Sequence, residues 1–511
     1  MRRALAALAV VSLVAAACVS SQPSAADCQP GPTYTRDPAP LDMEPVAAAM
    51  GQPAWTIESE EATFSSPSLA DLNGDGVLDV VQGFGQDTLG DRMSSVLATD
   101  GATGNELWRS SGHEDLIGTA RFLQLGGDAV ADVVIGGRRG ALLGINGSTG
   151  EVLWTFDEQN GRWFNFYTAQ IIDDQNGDGV EDLVAANGGL VFDEPAEVGV
   201  GPDPEKRNLG TTFVVSGSDG SVIARLPAPD RREQYMSPLV IPPGGSDDGA
   251  GQNVIIGTGG ETLPGSVWRL PLDALVNEDP AASIEVVSGG DKGVIATPSM
   301  ADLTGDCVLD FVVQSFGGTV TAVDGSSTAP IWTVPNPGFE TYSTPTLGYF
   351  VGDDSIADVF VAMARGVWPE YDSSDYLLID GSSGAVMWRQ TMGTFAPSGF
   401  VAADVNGDGR DEVIFGVNDL EQNSHQLHIL DTTRLTMAPL GPALPQTTFS
   451  SPWLGDIDND GLLDLLATES AYQSSGPARV HRFNLPWPTP KLVSWGGYLG
   501  TSTNGVIESW M

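Results

Sequence analysis

The sequence predicts an all-β fold, a β-propeller of eight four-stranded blades, or seven if the fourth unit is degenerate. Three observations lead there. An acidic nonapeptide recurs along the chain, and each copy runs into a short apolar strand. A hairpin motif ending in Trp falls between the copies. No stretch shows helical periodicity over three turns. Small sheets of this size cannot bury their faces alone, and stacking them in a ring does so.

The size of the chain requires an array. It has 511 residues, and a single core rarely grows past about 250–300. Lys plus Arg is 23 against 67 Asp plus Glu, a formal net charge of −44. Duplex nucleic acid and anionic surfaces attract basic patches. No run of Lys or Arg occurs here, so no nucleic-acid partner is expected.

The chain starts with Met1-Arg2-Arg3, an apolar stretch over 4–17, and Cys18 after "VAAA". A charged start, an apolar segment and a small-residue cleavage site make an export signal. It resembles a bacterial lipoprotein signal, which implies that Cys18 is lipidated and that the protein is exported and held to a membrane, periplasmic or at the cell surface. Residues 19–53 read as a flexible tether, rich in Ala, Pro, Ser and Gln. With Cys18 lipidated, Cys28 and Cys307 remain, either as a disulfide in an oxidising compartment or as two free thiols.

The propeller is expected over 54–486. The nonapeptides are "DLNGDGVLD" (71–79), "DQNGDGVED" (174–182), "DLTGDCVLD" (302–310), "DVNGDGRDE" (404–412) and "DIDNDGLLD" (456–464). Weaker copies at 124–137 and 350–362 keep the final Asp and the strand but lose the leading acid, and 242–260 is more eroded. The spacing of about 50–70 residues suits a four-stranded blade. The hairpins end at Trp108, Trp154, Trp332 and Trp388, each a strand, an Asp/Asn-Gly turn and a second strand. These Trp are expected to pack between blades. Trp55 stands sixteen residues ahead of Asp71, as Trp108 does of Gln124. The segment around Trp55 can therefore complete the last blade, and 487–511, which leaves the pattern, is the rival closing segment.

Positions 1, 3, 5 and 9 of the nonapeptide carry oxygen side chains, and Gly at 4 and 6 allows a tight turn. Ca²⁺ takes 6–8 hard oxygen ligands. The candidate ligands are Asp71, Asn73, Asp75 and Asp79 with the Val77 carbonyl; Asp174, Asn176, Asp178 and Asp182; Asp302, Thr304, Asp306 and Asp310; Asp404, Asn406, Asp408 and Glu412; and Asp456, Asp458, Asp460 and Asp464. An EF-hand is excluded, because it needs an acid at position 12 and flanking helices. The alternative is acidic Asn/Gly turns without metal.

These loops resemble FG-GAP or VCBS repeats, the calcium-loop repeats of integrin α-subunit propellers and many bacterial surface proteins. The Asp-Gly-x-Thr-Gly…Trp hairpins are similar to PQQ-like propeller blades. The resemblance implies Ca²⁺ at about five sites and loops that stabilise blades away from the ligand; no PQQ is expected, because the adjacent Cys-Cys pair and longer chain typical of quinoprotein dehydrogenases are missing. Cys307 departs from the pattern by replacing a Gly.

Strands of a blade alternate in direction, so the acidic loops and hairpin turns share one face of the ring. The opposite face is expected to bind a protein or polysaccharide ligand. Its candidates are Trp163, Phe164, Phe166 and Tyr167 in one aromatic stretch, and Trp368 and Tyr371 in another loop. The stretch 163–167 also fits a strand with one side buried. No catalytic motif is present. The expected function is an extracytoplasmic binding, adhesion or scaffold module, not an enzyme. The alternatives are a polysaccharide lyase on a calcium propeller, and less strongly a quinoprotein dehydrogenase.

Overall fold

The computed structural model describes residues 50–85, 93–156, 163–189, 209–246, 251–352, 354–396, 399–470 and 477–510. The strands form eight separate antiparallel sheets, the blades of an all-β propeller. Blade one comprises Ser68–Ala70, Asp79–Gly83, Ser94–Thr99 and Glu106–His113. The innermost strands of blades two to eight are Arg121–Leu123, Gln170–Ile172, Leu239–Ile241, Ser299–Ala301, Thr346–Gly348, Val401–Ala403 and Trp453–Gly455. In blade six a second short strand, Phe339–Glu340, shares an edge of Asp358–Val367. Among the described residues no helix is long and apolar enough to cross a membrane.

The second strand of each blade explains the apolar runs after the acidic loops. Asp79–Gly83, Asp132–Gly136 and Asp310–Gln314 are buried along their whole length. Neighbouring blades cover both faces, so these strands read as continuous Val/Ile runs rather than as alternating ones. Outer strands alternate, as in Val222–Pro227.

The tryptophans bolt blade to blade. Trp55, Trp108, Trp154 and Trp332 donate Nε1–H to the carbonyls of Gly101, Gly147, Gly217 and Gly381 in the next blade's hairpin, at 2.8, 2.6, 2.7 and 2.6 Å. The last Gly of that hairpin makes the room: at Gly150 (φ 75°) a Cβ would fall 2.7 Å from the Trp108 ring. Blade four has no such Trp in its outer strand, Ile284–Ser288, and Arg269 Nη1 donates to Gly325 O at 2.9 Å instead. Trp388 packs between Phe360 of its own blade and Phe415 of blade seven.

The ring closes where the Trp55 segment was expected to close it. Trp55–Ser59 pairs with Ala478–Pro488, Trp55 opposite Arg482. The C-terminal closing segment predicted at 487–511 is corrected: from residue 489 the chain enters the axis of the ring. Leu454 N donates to Gly496 O (2.8 Å), Ala402 N to Trp495 O (2.9 Å) and Met300 N to Gly505 O (2.7 Å). Gln170 Nε2 donates to Thr503 O at 3.2 Å. Each partner lies on an innermost strand, whose free edge offers backbone groups that otherwise need water. The tail therefore plugs the channel.

Candidate functional site

The acidic loops are shaped by their own carboxylates. Position 1 accepts backbone N–H groups from positions 4 and 6: Gly74 N to Asp71 Oδ1 is 2.6 Å and Gly76 N to Asp71 Oδ2 is 3.0 Å. Asp174 and Asp404 repeat this with Gly177 and Gly179, and with Gly407 and Gly409. Asp302 repeats it with Gly305 and Cys307. Position 5 accepts from position 7, as in Val77 N to Asp75 Oδ1 at 2.8 Å. Cys307 adopts φ 72° at position 6, where the other four copies use Gly, so its loop keeps the turn with a conformation that side chains disfavour.

Position 9 is different. Its carboxylate is buried and staples the loop to the hairpin of the same blade. Asp79 accepts from Leu72 N at 2.8 Å and Gly101 N at 3.2 Å. Asp182 and Asp310 do the same through Gln175 and Gly217, and through Leu303 and Gly325. Asp132 and Asp358, in the copies lacking a leading acid, keep the staple through Leu125 and Gly147, and through Val351 and Gly381. The weak copies thus show what the final Asp does without the rest of the loop. Glu412 caps Val405 N at 3.1 Å.

In blade eight Arg482 stands in for the hairpin. Its guanidinium donates to Asp464 Oδ1 and Oδ2 at 3.1 and 3.0 Å, to Asp458 Oδ2 at 2.6 Å and to Gly101 O at 2.8 Å. Here Asp456, Asp458 and Asp464 each bring an oxygen within 4.8 Å of the others. Asp458 Oδ1 is buried with no hydrogen-bond partner. Burial pushes Asp79, Asp310 and Asp464 up to about 6. Burial, then the neighbouring Asp408 and Asp404, raise Glu412 well above the usual carboxylate range. Crowded carboxylates with an orphaned oxygen are a donor set of the kind hard cations take.

The opposite face carries a ring that sequence reading missed. Phe64, Ile117, Tyr167, Tyr235, Ile295, Tyr342 and Phe449 each stand three or four residues ahead of an innermost strand. Each is half-buried between two buried neighbours. Together they line a cavity of about 400 Å³, with Phe395 serving blade seven and Tyr498 of the tail contributing to the wall. The signal was available: in five of these blades the residue sits seven positions before the loop start at 71, 124, 174, 302 or 456.

Along one arc of the rim the aromatic rings meet. Phe64 meets Phe449 at 4.6 Å between centroids, Phe449 meets Phe395 at 5.2 Å, and Phe395 stacks on Tyr371 at 5.9 Å. Tyr342 meets Trp368 edge-on at 5.9 Å. Tyr342 Oη donates to Glu261 Oε1 at 2.6 Å, and Tyr371 Oη to Glu340 Oε2 at 2.8 Å. Buried Glu340 also accepts from Trp368 N at 2.9 Å and pairs with Lys292. Burial first, then these carboxylates, push both phenols above the ordinary tyrosine range. They remain protonated donors at neutral pH.

Of the expected ligand-face residues, Trp368 and Tyr167 line the cavity, and Tyr371 backs it. Trp163, Phe164 and Phe166 are corrected to core positions, at 5, 8 and 0 % exposure. Trp163 and Phe166 pack on Phe213 of the same blade, because burying these rings gains more than leaving them wet. Cys18 and Cys28 lie outside the described residues. Cys307 is disulfide-bonded.

Comparison with known proteins adds one family. Residues 404–467 match the FG-GAP-like repeat. The matched stretch runs from the acidic loop of blade seven through that of blade eight. No curated protein sequence matches the chain. Among solved structures, the quinohemoprotein alcohol dehydrogenase from Comamonas testosteroni is similar over 88 % of this chain and 78 % of its own, with 14 % identity and TM-score 0.54. A europium-containing methanol dehydrogenase is similar over 89 % and 98 %, at 9 % identity and TM-score 0.54. Saccharomyces cerevisiae Sqt1 is similar over 86 % and 100 %, at 10 % identity and TM-score 0.53. At these identities the likeness is one of fold.

Proposed function

We propose that the chain is an exported, calcium-stabilised propeller that binds a protein or polysaccharide ligand in its aromatic-rimmed cavity, tethered to a bacterial membrane through lipidated Cys18. The observation that carries the binding role is the ring of half-buried aromatic and aliphatic residues repeated around the cavity mouth. Rigid blades hold them, and binding groups concentrate on loops so held. Flat rings beside hydrogen-bonding tyrosines suit sugar rings or the apolar anchors of a protein. The phenols are held protonated, which favours binding over proton abstraction and weighs against a lyase.

Saturation-transfer NMR against a panel of neutral and acidic oligosaccharides tests the site. Transfer to sugar protons that disappears in Trp368→Ala supports it. Binding that survives in Trp368→Ala and in Tyr342→Ala puts the ligand elsewhere and overturns the reading.

The cation role assigns Ca²⁺ to the loops of blades one, three, five, seven and eight, through positions 1, 3, 5 and 9. Its charge would offset the carboxylate crowding described above. Elemental analysis of the purified protein is expected to find four to six Ca²⁺ per chain, with chelation lowering Tm and Ca²⁺, rather than Mg²⁺, restoring it. No bound Ca²⁺ and no effect of chelator would show the loops to be metal-free turns.

A further inference from the structure

Arg121 opens the innermost strand of blade two. Its Nη1 donates to the Ser502 and Thr503 carbonyls of the plugging tail at 3.0 and 2.8 Å. Both acceptors are neutral. No carboxylate among the described residues pairs with this guanidinium, in a chain where acids outnumber bases 67 to 23. Glu508, close in sequence to those carbonyls, accepts from Ser502 Oγ at 2.9 Å and makes no ion pair with Arg121. Arg482, also deep in the fold, shows the usual solution, with two carboxylates on one guanidinium.

Nε of Arg121 is buried with no hydrogen-bond partner. Burial alone pulls the group down to about 10, so it stays charged at neutral pH. The part of the side chain that is not covered faces a cavity of about 230 Å³ between the tail and blades one, two and eight. Three of the cavity's hydroxyls are already committed as donors: Ser68 Oγ to Ala120 O, Thr501 Oγ1 to Val493 O and Ser502 Oγ to Glu508. What the cavity lacks is an acceptor carrying negative charge. Water would satisfy a hydrogen bond but leave the charge uncompensated, and a buried charge without a partner is costly.

We propose that this cavity is an internal anion site in which Arg121 holds one small anion, either a free inorganic ion or the carboxylate of a larger ligand. The second source is open because Thr119 and Tyr498 wall both this cavity and the aromatic one. The net charge of −44 does not forbid the site, since surface charges are screened beyond about 8 Å at physiological salt. The site stands independently of the calcium and ligand readings.

The test is thermal unfolding of the full chain at constant ionic strength, in the sodium salt of a bulky sulfonate. That salt is then replaced stepwise by chloride, bromide, phosphate or acetate. Wild type is expected to show a saturable rise in Tm of a few degrees, absent in Arg121→Gln. A rise with the inorganic ions assigns a free anion, and a rise with acetate alone assigns a carboxylate. Crystals of wild-type protein soaked in bromide, or in acetate, settle the case should Arg121→Gln fail to fold. Bromide or acetate density against Arg121 Nη2 supports the site. Equal Tm in all salts, with only water at the guanidinium, overturns it.

Discussion

Replacing Asp358 by alanine is expected to lower the unfolding free energy by about 4 kcal/mol, because three buried N–H groups lose their acceptor at once. Those groups are Phe350 N at 2.8 Å, Val351 N at 2.7 Å and Gly381 N at 3.0 Å. Blade six lacks the leading acid of the cation loops, so the effect should be the same with Ca²⁺ or with chelator. Asp358→Asn keeps one acceptor oxygen and should cost less. Denaturant unfolding of the three proteins measures this. A loss under about 1 kcal/mol for Asp358→Ala would show that the staple does not hold the blade.

The same residue has a pH signature. Burial raises Asp358 from 3.8 to about 7, against the lowering effect of its three N–H donors. The folded state therefore holds the proton more tightly than the unfolded chain. Its contribution to stability is full below the unfolded value and is lost as pH rises through the folded one. Between those limits wild type should lose stability with rising pH more steeply than Asp358→Asn, which cannot titrate.

Deleting residues 489–511 is expected to lower Tm by more than 10 °C or to leave a ring that binds hydrophobic dyes. The tail buries Trp495 and Leu499 at 1 %, Val506 at 0 % and Ile507 at 2 % exposure. Each such side chain contributes about 1.5–3 kcal/mol. Removal also strips partners from the innermost strands of several blades. Trp495→Ala alone should cost about 3–5 kcal/mol. Calorimetry decides: a truncated chain melting within two or three degrees of wild type would mean that the blades hold themselves and the plug adds nothing.

Much of this architecture was readable in advance. The acidic loops announce themselves because a turn with side-chain oxygens at 1, 3 and 5 and Gly at 4 and 6 is a local structure. The Trp hairpins do so because the Gly that admits the indole and the Trp that fills the gap recur at a fixed spacing. The offset between Trp55 and Asp71 marked one of two candidate closing segments, and the structure chose it over 487–511. The aromatic stretch 163–167 misled, since a run of rings reads alike on a surface and in a core. Phe213, which decides between them, lies about fifty residues away.

Local turn chemistry and repeat spacing are written in contiguous residues, so the sequence alone determined the all-β blades and their repeat, while it left seven or eight blades and two closing segments open for the structure to decide. Three further things were decided by tertiary structure: the ring of Phe64, Ile117, Tyr167 and their counterparts, the tail in the channel, and the lone guanidinium of Arg121. Each depends on which residues from distant blades meet at the axis. Arg121 meets Ser502 across 381 residues, and whether a carboxylate joins them is settled only when the ring has closed around both.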